Sequence, residues 1–199
     1  MPGDVSTTAL DHAALKTGSD AHLQPVNSAS SPVFALPGLR SLRAHSAWGN
    51  WYFAYGSNMN PARMQARGLS VVEALPGRLP GYGLCFNKRA KDRAPGRAYA
   101  NIRHQRDAVV EGVLYRLQDA DEIAKLDHFE GTPIYYSREC MPILTNHGVQ
   151  PAWVYIANPA FREEGLLPSA DYLAHLLAGQ ALLSEAYWST LAALPFHPD

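Results

Sequence analysis

Two short stretches of this chain carry residue types whose spacing could do chemistry. The first is Tyr55-Gly56-Ser57-Asn58, which follows the aromatic run Trp51-Tyr52-Phe53-Ala54 and precedes Asn60-Pro61. Glycine lets backbone approach a ligand closely. Successive N–H groups ahead of a helix form a site for a carboxylate or a developing oxyanion. The same four residues would also serve as a plain strand-to-helix turn, with Ser57 and Asn58 satisfying local backbone groups. The second stretch is Leu126-Asp127-His128-Phe129-Glu130-Gly131. It sets two carboxylates three apart at the end of a short helix. The dipole there and burial against Phe129 would both disfavour an anion, moving a carboxyl towards proton transfer near neutrality. The competing reading is an exposed glutamate before a capping glycine. Asp127 is the weaker candidate, since an acid that pairs locally serves structure only.

These stretches need elements to hold them. Trp51–Ala54 is rich in strand-forming residues. Asn60-Pro61 reads as an N-cap followed by proline in the first turn, opening a helix through Met64 and Arg67 that Gly68 ends. Val71–Leu75 and Tyr82–Asn87 read as two strands around a turn-rich Pro76–Gly81. Tyr99–Arg103 and Val109–Leu117 read as two more. Asp119 caps a helix through Ile123 and Leu126 that stops at Gly131. Tyr135–Leu144 and Ala152–Ala157 are strands joined by Asn146-His147-Gly148. Ser169 and Ser184 cap two closing helices, the first carrying Leu173, Leu176 and Leu177, the second Tyr187, Leu191 and Leu194. Most strand connections are too short for parallel crossovers. The expected architecture is therefore α+β, a mostly antiparallel sheet or barrel with flanking short helices and a helical C-terminal tail.

The whole chain has 199 residues, 47% hydrophobic and 18% charged, with a formal net charge of −1. That composition fits a globular domain and gives no global electrostatic case for nucleic acid or an anionic membrane. Residues 1–48 are rich in Ser, Thr, Ala, Pro and Gly and are expected to form a disordered arm, with the folded domain over 49–199. No apolar run approaches the length of a bilayer span. Cys85 and Cys140 sit in apolar strands far from any C-x-x-C pattern, and His104, His128 and His147 lack metal-ligand spacing, so neither a disulfide scaffold nor a metal site is expected. The basic stretch 88–106, with Lys88, Arg89, Lys91, Arg93, Arg97, Arg103 and Arg106 against Asp92, is read as a solvated loop ahead of a nucleic-acid surface, because spaced stacking aromatics are missing.

The ordered set Tyr52-Phe53-Ala54-Tyr55-Gly56-Ser57-Asn58, Val110-Glu111-Gly112-Val113-Leu114-Tyr115, Leu126-Asp127-His128-Phe129-Glu130-Gly131, Tyr135-Tyr136-Ser137-Arg138 and Pro168-Ser169-Ala170-Asp171-Tyr172 resembles the γ-glutamylcyclotransferase family, over roughly residues 50–195. The resemblance implies a barrel-like α+β fold with a cavity. It implies that the loop Tyr52, Phe53, Ala54, Tyr55, Gly56, Ser57 and Asn58 holds the γ-glutamyl group, that Glu130 is the general acid/base, and that Tyr172 contacts substrate. Asn58 is the form similar to enzymes acting on γ-glutamyl amino acids. Contacts by Tyr135, Tyr136 and Tyr155 are left open, with Tyr155 read first as a core residue.

The implied reaction is intramolecular: the α-amino nitrogen of a γ-glutamyl group attacks its own γ-carbonyl, giving 5-oxoproline and a free amine. Tethered reactants need only be folded into a near-attack shape, so no metal or nucleotide cofactor is expected. The expected partner is a small γ-glutamyl compound, with no nucleic acid and no membrane. A cytoplasmic location is expected, and the oligomeric state, a homodimer included, is left open. Two rivals remain: removal of a γ-glutamyl protecting group from a biosynthetic intermediate, and a non-catalytic binding module on the same fold.

Overall fold

The computed structural model describes residues 49–90 and 96–198. The expected arm over 1–48 lies outside the described residues, as do Lys91, Asp92 and Arg93 of the basic stretch. The chain order is β1 (Trp51–Ala54), a 3-10 turn (Ser57–Met59), α1 (Pro61–Ala66), β2 (Val71–Arg89), β3 (Ala98–Leu117), α2 (Glu122–Glu130), β4 (Tyr136–Thr145), β5 (Gly148–Ala157), α3 (Ala170–Leu177) and α4 (Glu185–Ala192), with further 3-10 turns at Pro159–Phe161 and Gln180–Leu182.

The strands close into a barrel in the order β1-β3-β2-β4-β5. Every pairing is antiparallel except the closing one, where β5 meets β1 in parallel at Tyr52 and Trp153. The expected α+β, mostly antiparallel barrel with short flanking helices is what forms. Its strands differ from the expectation in length. β2 and β3 are each a single long strand, and what reads as a turn at Pro76–Gly81 is strand. Leu75, Gly77 and Leu79 face inward while Ala74, Pro76, Arg78 and Pro80 are exposed, a two-residue period that carries straight through the prolines. The irregularity is a bulge. Pro80 pairs with Val109 but Tyr82 pairs with His104, so residues 105–108 stand opposite Gly81, which has φ +80°. The basic residues Arg103 and Arg106 are exposed on β3 instead of in a loop.

Side chains alternate between two cores. On β1, Phe53 and Tyr55 face one cluster with Leu79, Ile102, Val110, Leu114, Ile143 and Val154. Tyr52 and Ala54 face the other, where Met59, Met64, Leu126, Leu176 and Leu191 pack helices onto the barrel. The capping readings at Asn60, Ser169 and Ser184 hold. Asn60 Oδ1 accepts from the Ala62 amide, Ser169 Oγ from Tyr172 and Ser184 Oγ from Tyr187. For α2 the N-cap position is Asp121 instead of Asp119, whose Oδ1 accepts from the Asp121 and Glu122 amides in the turn ahead of the helix, and Gly131 ends α2 in the left-handed conformation.

Phe53 is fully buried over Gly77 and Gly112. A methyl group on Gly112 would lie 2.3 Å from the Ala54 carbonyl oxygen and 2.9 Å from the Phe53 ring, and the backbone atom cannot move aside without disturbing the barrel. Gly112→Ala is therefore expected to lower stability by about 1–3 kcal/mol. Urea unfolding monitored by circular dichroism checks this; an unchanged midpoint would contradict the packing described.

Candidate active site

β1 ends at Ala54, and Tyr55-Gly56-Ser57-Asn58 turns into the 3-10 segment, fixed by the Met59 amide donating to the Gly56 carbonyl at 2.9 Å. Proximity favours glycine at 56: a Cβ there would lie 3.0 Å from the Tyr172 hydroxyl and 3.2 Å from the Ala100 Cβ, so both would have to shift by a few tenths of an ångström. The turn forms one wall of a pocket of about 310 Å³, solvent at its mouth included, lined by Tyr52, Tyr55, Gly56, Ser57, Asn58, Ala100, Glu130, Tyr136, Tyr155 and Tyr172. The space within it that a water-sized sphere can occupy is only about 30 Å³, so the cleft is narrow.

Glu130 is the pocket's carboxylate. It reaches the turn at the end of α2, with 18% of its side chain exposed. Asn58 Nδ2 donates to its Oε1 at 3.2 Å, and Arg67 Nη1 pairs with the same oxygen at 3.2 Å. Asn58 Nδ2 also donates to the Tyr52 hydroxyl at 2.8 Å, while Asn58 Oδ1, buried, has no donor among the described residues. The expected setting of Glu130 is corrected in one respect. Phe129 does not bury the carboxyl. Its ring is 37% exposed and is covered by the Arg67 guanidinium at 4.7 Å, so a cation takes the place expected for an apolar wall.

Five tyrosines line the pocket. The Tyr172 hydroxyl accepts from the Ala100 amide at 3.0 Å and lies against Ser57; burial pushes it up to about 12, with Ala100 and Ser57 opposing the shift. Tyr55 donates to the Tyr155 carbonyl, Tyr136 to the Ala100 carbonyl at 3.0 Å, and Tyr155 to Asp127 Oδ1 at 2.8 Å. Burial likewise raises Tyr52, Tyr55, Tyr136 and Tyr155. All five phenols stay protonated near neutral pH.

Of the residues singled out from the sequence, the fold brings Tyr52, Tyr55, Gly56, Ser57, Asn58, Glu130 and Tyr172 to one pocket. Phe53 and Ala54 are not among its lining; both are completely buried in the two cores. Asp127 serves structure: Tyr155 occupies Oδ1, and Arg138 pairs with Oδ2 at 2.6 Å. Of the tyrosines left open, Tyr136 and Tyr155 line the pocket while Tyr135 does not, and Ala100 belongs to the lining although it was not singled out from the sequence. Nor was Arg67 flagged. Its position four residues after Arg63 on α1 was the available signal, since that spacing puts both guanidiniums on one helix face.

A model of the family described as gamma-glutamyl cyclotransferase, AIG2-like, matches residues 52–174. The chain belongs to this family. Solved structures share its fold. A gamma-glutamyl cyclotransferase structure is 22% identical, with a TM-score of 0.63, covering 74% of this chain and 88% of that one. YkqA from Bacillus subtilis has the same identity and TM-score, covering 74% of this chain and 55% of its own. A glutathione-specific cyclotransferase from yeast is 14% identical with a TM-score of 0.52, covering 72% and 96%. Among curated proteins no sequence match was found. The stretch that the AIG2-like family model matches contains every residue lining the pocket. Among the described residues no helix is long and apolar enough to cross a membrane.

Tyr172 anchors this pocket from the C-terminal helices. Tyr172→Phe removes the acceptor of the Ala100 amide, and an unpaired buried N–H costs about 1–3 kcal/mol. Denaturant unfolding should show a loss of that size, and a variant as stable as the parent would mean that the bond carries no weight.

Proposed function

We propose that this protein is a γ-glutamyl cyclotransferase that converts γ-glutamyl amino acids or related γ-glutamyl compounds to 5-oxoproline and the free amine, with Glu130 as the acid/base. Family membership supports the general activity. The observation that carries the residue assignment is the shared pocket: a part-buried carboxylate hydrogen-bonded to Asn58, beside the Gly56-Ser57 turn.

The chemistry follows from what the reaction lacks and what the pocket offers. Nucleophile and electrophile are one molecule, so the protein must bend the glutamyl chain until its nitrogen faces the γ-carbonyl. A substrate α-ammonium has no lone pair. Glu130 takes one proton from it, and Asn58 Oδ1 accepts another N–H, which satisfies an acceptor that otherwise has no donor. The nitrogen then bonds to the γ-carbon and the carbonyl electrons move onto oxygen. Donors must meet that oxyanion as it forms. The Gly56–Asn58 backbone is one source. Tyr172 is another, because its oxygen accepts from Ala100 and its own proton is left to give. Glu130 hands the first proton to the leaving nitrogen and takes the second from the ring nitrogen, so that collapse breaks the C–N bond to give a neutral lactam. The second proton follows to the departing amine, which leaves as an ammonium. No other carboxylate lines the pocket, so a single group acts in both directions.

Tyr52, Tyr55 and Tyr136 are read as the walls that hold the glutamyl methylenes, with every hydroxyl already engaged. Phe53 and Ala54 support the turn from behind. The reaction as drawn uses no metal, nucleotide or second protein, and we place it in the cytoplasm, where γ-glutamyl compounds of small size would be the partners.

The purified protein incubated with γ-glutamyl-alanine is expected to release 5-oxoproline, detected by chromatography. Glu130→Gln, which keeps the size of the side chain, is expected to lower kcat by about 10²–10⁴. A folded wild type that is inert on a panel of γ-glutamyl compounds would favour the binding-module reading instead, and equal rates in both proteins would remove Glu130 from the chemistry.

A further inference from the structure

The face of α1 nearest the pocket holds more cation and more hydrogen-bond donors than its neighbours can satisfy. Arg67 spends one guanidinium nitrogen on Glu130. Arg63, one turn earlier, sets Nη1 3.2 Å from His175 Nε2, and Asn60 Nδ2 lies 3.0 Å from His175 Nδ1. The Asn60 amide is oriented by its oxygen, which caps Ala62. Burial, Arg63 and Arg67 all lower the proton affinity of His175, so its ring is neutral. A neutral imidazole accepts at one nitrogen only. It cannot accept from both Asn60 and Arg63, so one donor is left over. Arg63 Nε is also buried with no acceptor among the described residues. Arg63 is close enough to the pocket to feel Glu130, Tyr172 and Tyr99, and burial together with Arg67 weakens its hold on its proton. The facing groups are thus two guanidiniums, a neutral histidine and one half-buried carboxylate. Asp171, beside His175, is exposed.

On the same Glu130 oxygen the imbalance reverses, because Asn58, which shares it with Arg67, has a buried Oδ1 with no donor among the described residues. A ligand that answers both faults carries an N–H donor and a carboxylate a short distance apart. In an amino-acid head group the nitrogen and the carboxylate carbon share one carbon and lie about 2.5 Å apart. We propose that Arg63, with Arg67, forms a carboxylate subsite beside the pocket, and that this subsite selects substrates by a free carboxylate.

This rests on the cyclotransferase reading for the identity of the ligand but not on turnover. A γ-glutamyl amino acid has two carboxylates, one on the glutamyl α-carbon and one on the leaving group. Covalent geometry favours the first, because it accompanies the nitrogen that meets Glu130 and Asn58. An Arg–carboxylate pair can be bidentate, and Arg63 Nε, buried and with no acceptor among the described residues, is the second donor for it.

The test is calorimetric binding to the full chain carrying Glu130→Gln, so that no turnover intervenes. Three ligands are titrated: γ-glutamyl-alanine, γ-glutamyl-alaninamide, and the analogue whose glutamyl α-carboxylate is a carboxamide. Adding Arg63→Gln is expected to weaken γ-glutamyl-alanine about 10- to 100-fold. The same substitution should leave the ligand lacking the contacted carboxylate unchanged, and Arg63→Lys should restore part of the loss. If the insensitive ligand is the α-carboxamide, the subsite holds the glutamyl end; if it is the alaninamide, the subsite reads the leaving group. Equal weakening of all three, no weakening, or no binding of γ-glutamyl-alanine at all would overturn the inference. Should Arg63→Gln not fold by circular dichroism, Arg67→Gln on the same background makes the same comparison. Release of 5-oxoproline by wild type is scored separately. If it fails while the binding pattern holds, the cyclotransferase reading falls and the subsite stands; if it succeeds while Arg63→Gln changes nothing, the reverse is true.

Discussion

One oxygen atom ties the site together. Glu130 Oε1 accepts from Asn58, on the turn after β1, and from Arg67, at the end of α1, while Glu130 itself closes α2. The turn and α1 adjoin in the chain, but Glu130 lies 72 residues from Asn58 and 63 from Arg67, and none of the three segments is a barrel strand. A half-buried carboxylate left alone would be costly, and so would the donors facing it, so the three groups hold one another in place. The pocket exists because this contact brings the turn, the first helix and the second helix to a single point. Phe129, which might have sheltered the acid, instead supports the arginine from outside.

Around that point the pocket is polar yet nearly uncharged. Its five phenols are buried, and burial favours their neutral form. Each is engaged: Tyr52 with Asn58, Tyr55 with a β5 carbonyl, Tyr136 and Tyr172 with Ala100, Tyr155 with Asp127. Such a wall gives shape and fixed dipoles without competing as acid or base. Glu130 is then the one carboxylate among the lining residues, and the Arg67 guanidinium beside it balances its charge. This suits the proposed cyclisation, whose main demand is that a flexible chain be bent and its protons moved over a short distance.

The local punctuation was legible because it depends on neighbours in sequence. Asn60-Pro61, Gly131, Ser169 and Ser184 each act within a few residues of their own position and sit where they were read, while Asp119 holds the turn two residues ahead of the cap position, Asp121. The strand character of Trp51–Ala54 and Ala152–Ala157 was equally plain. Pro80 and Gly81 misled, since residues that usually break a strand here make a bulge within one, where β3 supplies the extra length. That depends on the partner strand, which a single stretch does not reveal. The same is true of the parallel contact between Tyr52 and Trp153 that closes the barrel.

By itself the sequence determined the element types, the mostly antiparallel architecture, and the two stretches that meet at the site, because caps, turn residues and two-residue periods express short-range sterics and hydrogen bonding. It also carried a family resemblance that the match over residues 52–174 bears out. What surrounds Glu130 was decided only in three dimensions. The charge partner Arg67, the tyrosines of β4 and β5, and the unmatched donors of Arg63 are set by which surfaces the closed barrel brings face to face. Electrostatics and desolvation act through space, over distances that bear no relation to separation along the chain.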